Sequence, residues 1–342
     1  MPGSCTRRGR AGLAIPAALA ALVLAACSGP GPAAVSALPL KQVQDLKLPG
    51  GPTRLDYQSI DPTNRMLYIA HLGDGTVEAV DLDKAAVAGS VPGIASAHGV
   101  MVAADRHLLL AAASGTNELA FVDTDTLQVT GRVKSGDLPD GIAYDPAHGK
   151  AFVSNEHDHV LTVIDVATGK DMPSVEVGGE TGNVIYDPGS GKVFVNAQST
   201  GELLVIDPAT DAVTDRIRVD GCDGNHGLYI DGMSQLAFIA CEGNAKLYVL
   251  DLRSKQAAAH FDTGDAPDVL AFDVGLHRLY LAAEDGTVSI FDEHDRTLAP
   301  VASAKLADHA HTVAVDQASH KVYFPLQDIN GHPVLRIMEP TT

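Results

Sequence analysis

Five residues able to transfer protons or ligate a metal stand at one fixed offset in this chain. Asp56, Asp140, His226, Asp268 and His311 each precede another aspartate by five positions: Asp61, Asp145, Asp231, Asp273 and Asp316. Gly182 holds the same offset before Asp187, with Asn183 beside it as an amide. His98 takes the equivalent place before Asp105, where the intervening run is longer. His309 lies two residues before His311, which on a strand puts both on one face. The imidazoles of His98, His226 and His311 suit a divalent transition metal such as Cu or Zn, with the carboxylates between them orienting the rings. The same set also suits a wet polar channel that holds ordered water and no ion, so no cofactor is required. A second cluster, Asn155-Glu156-His157-Asp158-His159, has counterparts at His71, Cys241-Glu242 and Glu284.

What positions these residues is a repeat. The following aspartates recur at 61, 105, 145, 187, 231, 273 and 316, with gaps of 40 to 44 residues. Each ends a short apolar run such as Val184-Ile185-Tyr186, and several enter a turn, as in Asp61-Pro62 and Asp145-Pro146. A second apolar run follows, as in Phe152-Val153-Ser154-Asn155, then a third ending in an acid, as in Val163-Ile164-Asp165, then a weaker fourth. The runs are short, rich in Val, Ile, Tyr and Phe, and lack helical spacing, so a helical solenoid fails. Four short strands in about 42 residues is the spacing of a propeller blade. The reading is all-β: a seven-bladed β-propeller over residues 41–342. Its last blade stops three strands in, at Glu339. Lys41 to Leu48 has no other partner and is expected to supply the missing outer strand, closing the ring and covering two sheet edges. The residues at the fixed offset then line the mouth of the central channel.

The segments Pro139-Asp140-Gly141-Ile142-Ala143-Tyr144-Asp145-Pro146, Phe152-Val153-Ser154-Asn155, Val160 to Gly169 and Leu203 to Thr210 resemble the YVTN family of β-propeller repeats, over about residues 41 to 339. The resemblance implies a YncE-like periplasmic propeller. Its known relatives include surface-layer proteins, propellers implicated in single-stranded DNA binding, and haem- or quinone-enzyme domains. Blades 2 and 7 depart from the pattern, at Asp105-Arg106-His107 and Phe324-Pro325-Leu326. The chain has no Trp, which argues against the Trp-docked quinone enzymes. It also lacks Cys-x-x-Cys-His, Gly-x-Ser-x-Gly and a Gly-rich phosphate loop.

Residues 1–26 read as a targeting segment: Arg7, Arg8 and Arg10, then an apolar stretch from Ala11 to Ala26. Leu24-Ala25-Ala26-Cys27 resembles a lipobox, so Cys27 is expected to carry the lipid. Ser28 follows with no aspartate in that place, which favours the outer membrane, facing the periplasm. Residues 27–40 form a Ser/Gly/Pro/Ala-rich tether. Without the three arginines, 21 basic residues face 43 acidic ones, a formal charge of -22. Such a surface repels nucleic acid and anionic lipid and attracts cations or a basic protein patch. Contact with the membrane is then through the lipid alone, and a monomer is expected. Cys222 and Cys241 flank the first two strands of blade 5 at one face, and an oxidising compartment favours their pairing. The function that follows is a ligand- or protein-binding scaffold working through its top face and channel. The alternative is a metal-dependent enzyme, of lyase, hydrolase or oxidase type, centred on the channel histidines.

Overall fold

The computed structural model describes residues 37–341. Seven antiparallel four-stranded sheets form a ring of blades. In blades 1 to 6 the strands run in chain order from the inner strand outward. Their inner strands are Gln58–Asp61, Ala97–Ala103, Pro139–Asp145, Thr181–Asp187, Asn225–Asp231 and Pro267–Asp273. Blade 7 contributes Ala314–Val315, Val322–Leu326 and Val334–Pro340, and Leu40–Lys47 pairs along the outside of the last of these. The closing strand is therefore where the unfinished seventh repeat requires it. No helix among the described residues is long and apolar enough to cross a membrane. Cys27 and the targeting segment lie outside the described residues.

Blade packing explains the sequence pattern. Each middle strand has both faces covered by neighbouring blades, so Leu67–Ala70 and Phe152–Val153 are fully buried. Outer strands meet solvent on one face and alternate, as Gln128–Lys134 does. Seven apolar clusters fill the blade-to-blade interfaces. One joins Tyr68 and Ala70 of blade 1 to Leu109 and Ala111 of blade 2. Another, across the closure seam, joins Leu67 and Ile69 to Tyr323, Leu335 and Ile337.

The recurring aspartates are turn residues. Asp61 Oδ1 accepts from the Thr63 and Asn64 amides at 2.9 and 3.1 Å, and Asp187 accepts from Gly189 through Oδ1 at 3.1 Å and from Ser190 through Oδ2 at 2.9 Å. Their side chains replace a backbone acceptor in the turn, which is why the repeat keeps them. Blade 2 departs here. Asp105 sits in a single 3₁₀ turn and accepts from Tyr144 Oη at 3.0 Å.

Asp316 does more. Arg65 donates both terminal nitrogens to its two oxygens at 2.7 Å each, tying blade 1 to blade 7 across the seam. The guanidinium bonds hold the Asp316 carboxyl down to about 2, against an ordinary 3.8. A depressed pKa contributes stability that is complete above the unfolded value and lost as pH falls toward the folded one. Replacing Arg65 with Met is therefore expected to move the acid-unfolding midpoint to higher pH, followed by circular dichroism. An unchanged midpoint would remove this pair from the acid response.

Candidate functional site at the channel mouth

Inner strands of blades 2 to 6 begin with the same irregularity. The ladder breaks between Ala97 and Val100, Pro139 and Ile142, Thr181 and Val184, Asn225 and Leu228, and Pro267 and Leu270. Such a break re-aims the residues it releases. Those released second in each strand are His98, Asp140, Gly182, His226 and Asp268, the fixed-offset residues of the sequence. Glycine follows two of the histidines for a steric reason. A Cβ on Gly99 or Gly227 would lie 1.9 Å from the carbonyl oxygen of Asp140 or Asp268 on the next blade. Only a residue without a side chain lets the inner strands converge this closely.

The mouth is a polar chamber of about 200 Å³. Asp56, His98, Asp140, His226 and Asp268 line it, as the sequence indicates. A second ring consists of the positions that directly follow each blade's second strand: Glu156, Glu242 and Glu284, which the sequence sets in equivalent loops, and Gln198, which it does not single out. The spacing of 42 to 44 residues is the repeat itself, which is the signal that could have found Gln198. Arg54, Tyr57 and Glu180 complete the lining. Seven carboxylates thus face one guanidinium. Arg54 is already engaged, with Asp56 at 3.0 Å and Glu284 at 2.8 Å.

Tyr57 is the residue that sequence reasoning overlooked. It reaches across the channel from blade 1, and its hydroxyl donates to Asn183 Oδ1 of blade 4. The same oxygen lies 3.5 Å from Asp140 Oδ2 and 3.3 Å from His226 Nε2. Its ring borders both the acidic chamber and a second cavity of about 210 Å³ lined by Val100, Ile142, Val184, Leu228 and Leu270. Tyr57 is therefore a partition between an acidic mouth and a mostly apolar lower channel. Asn183 lies on the lower side, as the anchor of that partition.

The histidines do not share one position. His98 donates from Nδ1 to Ser114 Oγ at 2.5 Å, while that hydroxyl donates to the Pro139 carbonyl. His226 is buried, with Nδ1 3.1 Å from Gln198 Oε1 and Nε2 3.5 Å from Asp268 Oδ1. His311 is buried with Nδ1 3.6 Å from Glu284 Oε2. Among the described residues, two groups of three ligand-bearing residues come within 4.8 Å of one another: His226, Glu242 and Asp268, and Asp268, Glu284 and His311. The three-imidazole centre of His98, His226 and His311 is not among them. Blades 2, 5 and 7 are not neighbours in the ring, and the groups that form instead pair one imidazole with two carboxylates. The shared face expected for His309 and His311 is also absent. His309 sits in a turn with φ +55° and is exposed, so strand alternation does not apply. Of the loop cluster, Glu156 lines the chamber, and His157 and His159 face solvent.

Burial dominates the electrostatics. It pushes the Asp140 carboxyl up to about 7 and Asp268 well above the usual range, although His226 pulls both back. For His226, burial disfavours the charge, but Glu242, Asp268, Asp140 and Glu156 together outweigh it and raise the imidazole to about 9. His98 and His311, with burial foremost, are shifted toward the neutral ring. Near the chamber, Cys222 and Cys241 are disulfide-bonded with Cα atoms 5.5 Å apart, tying the start of blade 5 to the end of its second strand, beside Glu242.

No family model and no curated protein matches this chain. Solved structures do. Hydrazine synthase of Kuenenia stuttgartiensis superposes with a TM-score of 0.72 at 16% identity, over 82% of this chain and 94% of that one. U3-55K does so at 0.74 and 9%, over 87% and 98%. The WD40 repeats of RRP9 give 0.74 and 8%, over 88% and 100%. This chain is a seven-bladed, WD40-like β-propeller. The likeness is one of fold, and the propeller's chamber has to be read from its own residues.

Proposed function

We propose that this propeller is a cell-envelope binding protein of the YVTN, YncE-like type, and that its acidic chamber captures a cationic group. The group is a small organic cation, a metal ion, or a basic side chain of a protein docked on the top face. One observation carries the reading: seven acidic side chains line a chamber in which the Arg54 guanidinium and the His226 imidazolium are the counter-charges, both already paired with carboxyl groups, so the acidic loop ring of Glu156, Glu180, Glu242 and Glu284 stays in excess. Low-dielectric walls focus that field and raise the local concentration of cations. Isothermal titration of the mature protein with spermidine tests it, with citrate as an anionic control. Saturable spermidine binding that weakens with salt is the expected result. Equal response to both probes, or to neither, would refute the reading.

The anchor belongs to the same proposal. Cys27 carries the lipid and the propeller sits at the outer membrane, facing the periplasm, as a monomer. The support is Leu24-Ala25-Ala26-Cys27 behind Arg7, Arg8 and Arg10, with Ser28 following. The Cys27→Ala variant is expected in the soluble fraction or as unprocessed precursor. Fractionation with membranes like the wild type would rule the anchor out.

A second reading, a metal-dependent enzyme, is favoured by one feature. The Asp140 carboxyl is held near 7, beside His226 and Tyr57, where a general acid or base works best.

A further inference from the structure

The geometry points to a divalent transition-metal centre organised on Asp268, completed by His226 and Glu242 on one side and by His311 and Glu284 on the other. This deepens the cation-capture reading and rests on it. Both ligand groups contain Asp268, and in each the ligand atoms lie within 4.8 Å of one another. A carboxylate with two oxygens can serve both sides.

Carboxylates in proximity are common without an ion, so the argument rests on two further atoms. Among the described residues, Asp268 Oδ1 and His311 Nε2 are buried with no hydrogen-bond partner, the His226 Nε2 contact of Asp268 Oδ1 at 3.5 Å being an ion-pair distance only. Asp268 is 4% exposed and His311 2%. A buried polar atom left unpaired is costly, and a metal ion is one of the few things that removes the cost for a carboxylate and an imidazole together.

The tautomer agrees. His311 Nδ1 lies 3.2 Å from the His309 carbonyl, which only accepts, and 3.6 Å from Glu284 Oε2, so Nδ1 carries the proton and Nε2 keeps its lone pair. Gln198 performs the same service for His226. Its Nε2 donates to Glu242 Oε2 at 3.2 Å, which directs its Oε1 to His226 Nδ1 at 3.1 Å. His226 Nε2 is thereby turned toward Asp268. One imidazole proton spent on a fixed acceptor is the usual support of a metal-ligating histidine. Mixed imidazole and carboxylate donors favour Zn²⁺ or Fe²⁺ over the all-oxygen cations Mg²⁺ and Ca²⁺.

The test is calorimetric titration of untagged, chelator-treated mature protein with Zn²⁺, then with Mg²⁺. Tight Zn²⁺ binding that excess Mg²⁺ does not displace is expected. Asp268→Asn is expected to weaken it by about 100-fold, and His226→Ala and His311→Ala by about 10-fold or more each. Gln198→Ala, which removes no ligand, is expected to weaken it by about 10-fold, and the variants are checked for native circular dichroism. Wild-type Zn²⁺ affinity in Asp268→Asn, or equal affinity for Mg²⁺, would overturn the centre. Failure of Zn²⁺ alongside saturable spermidine binding would overturn this inference alone, and failure of both would overturn the chamber reading with it.

Discussion

Deleting Leu40–Lys47 is expected to destabilise the propeller by about 5 kcal/mol and to lower its melting temperature by roughly 10 °C. Several losses combine in that figure. Half-buried Leu40 and Leu46 leave the edge of blade 7. Arg336, which donates to both oxygens of Asp45 at 2.9 and 2.7 Å, loses its partner. The strand Val334–Pro340 becomes an exposed edge, and such edges recruit other chains. Aggregation on heating should accompany the lower transition. The pairing also supplies a rescue. Leu40 lies opposite Pro340, so a short turn placed after Pro340 leads directly into the deleted strand. A chain with residues 40–47 moved behind residue 340 in this way should recover most of the lost stability. Differential scanning calorimetry of the three proteins decides it, and a deletion that melts with the wild type would show that closure does not depend on this strand.

The second large effect concerns the loop ring. Changing Glu156, Glu242 and Glu284 together to Gln is expected to weaken spermidine binding by about 100-fold. Each lost charge accounts for about 1 kcal/mol at a partly screened site. These residues are half-exposed, so stability should change by no more than about 1 kcal/mol in sum. Salt dependence should flatten in parallel, because fewer charges remain to be screened. A triple variant that binds like the wild type would move the cation site away from the channel mouth.

The ring of blades was legible because its cause is local and repeated. Six of the seven blades need the Asp61-type side-chain acceptor in the same turn, and every middle strand needs both faces apolar, so the chain writes the pattern again and again. The inner ring of the mouth was legible for the same reason, from Asp56 to Asp268. Three features were not. Tyr57 looks like one more apolar residue of a first strand, and its role arises only when blades 1, 3, 4 and 5 meet across the channel. Gln198 continues the series that Glu156, Glu242 and Glu284 mark in the sequence, but amides are common on any acidic surface, and only the convergence of the four distinguishes it. His309 departs from its expected face because strand alternation does not extend into the turn that holds it. Blade 7 has an inner strand of two residues, Ala314–Val315, and the turn before it obeys no period.

The most direct measurement is a crystal structure of the mature protein with spermidine bound at moderate salt. Electron density for an amine is expected inside the mouth, within hydrogen-bonding reach of the carboxylates of the two rings and above Tyr57. Spermidine bound only outside the mouth, with the chamber holding water alone, would contradict it.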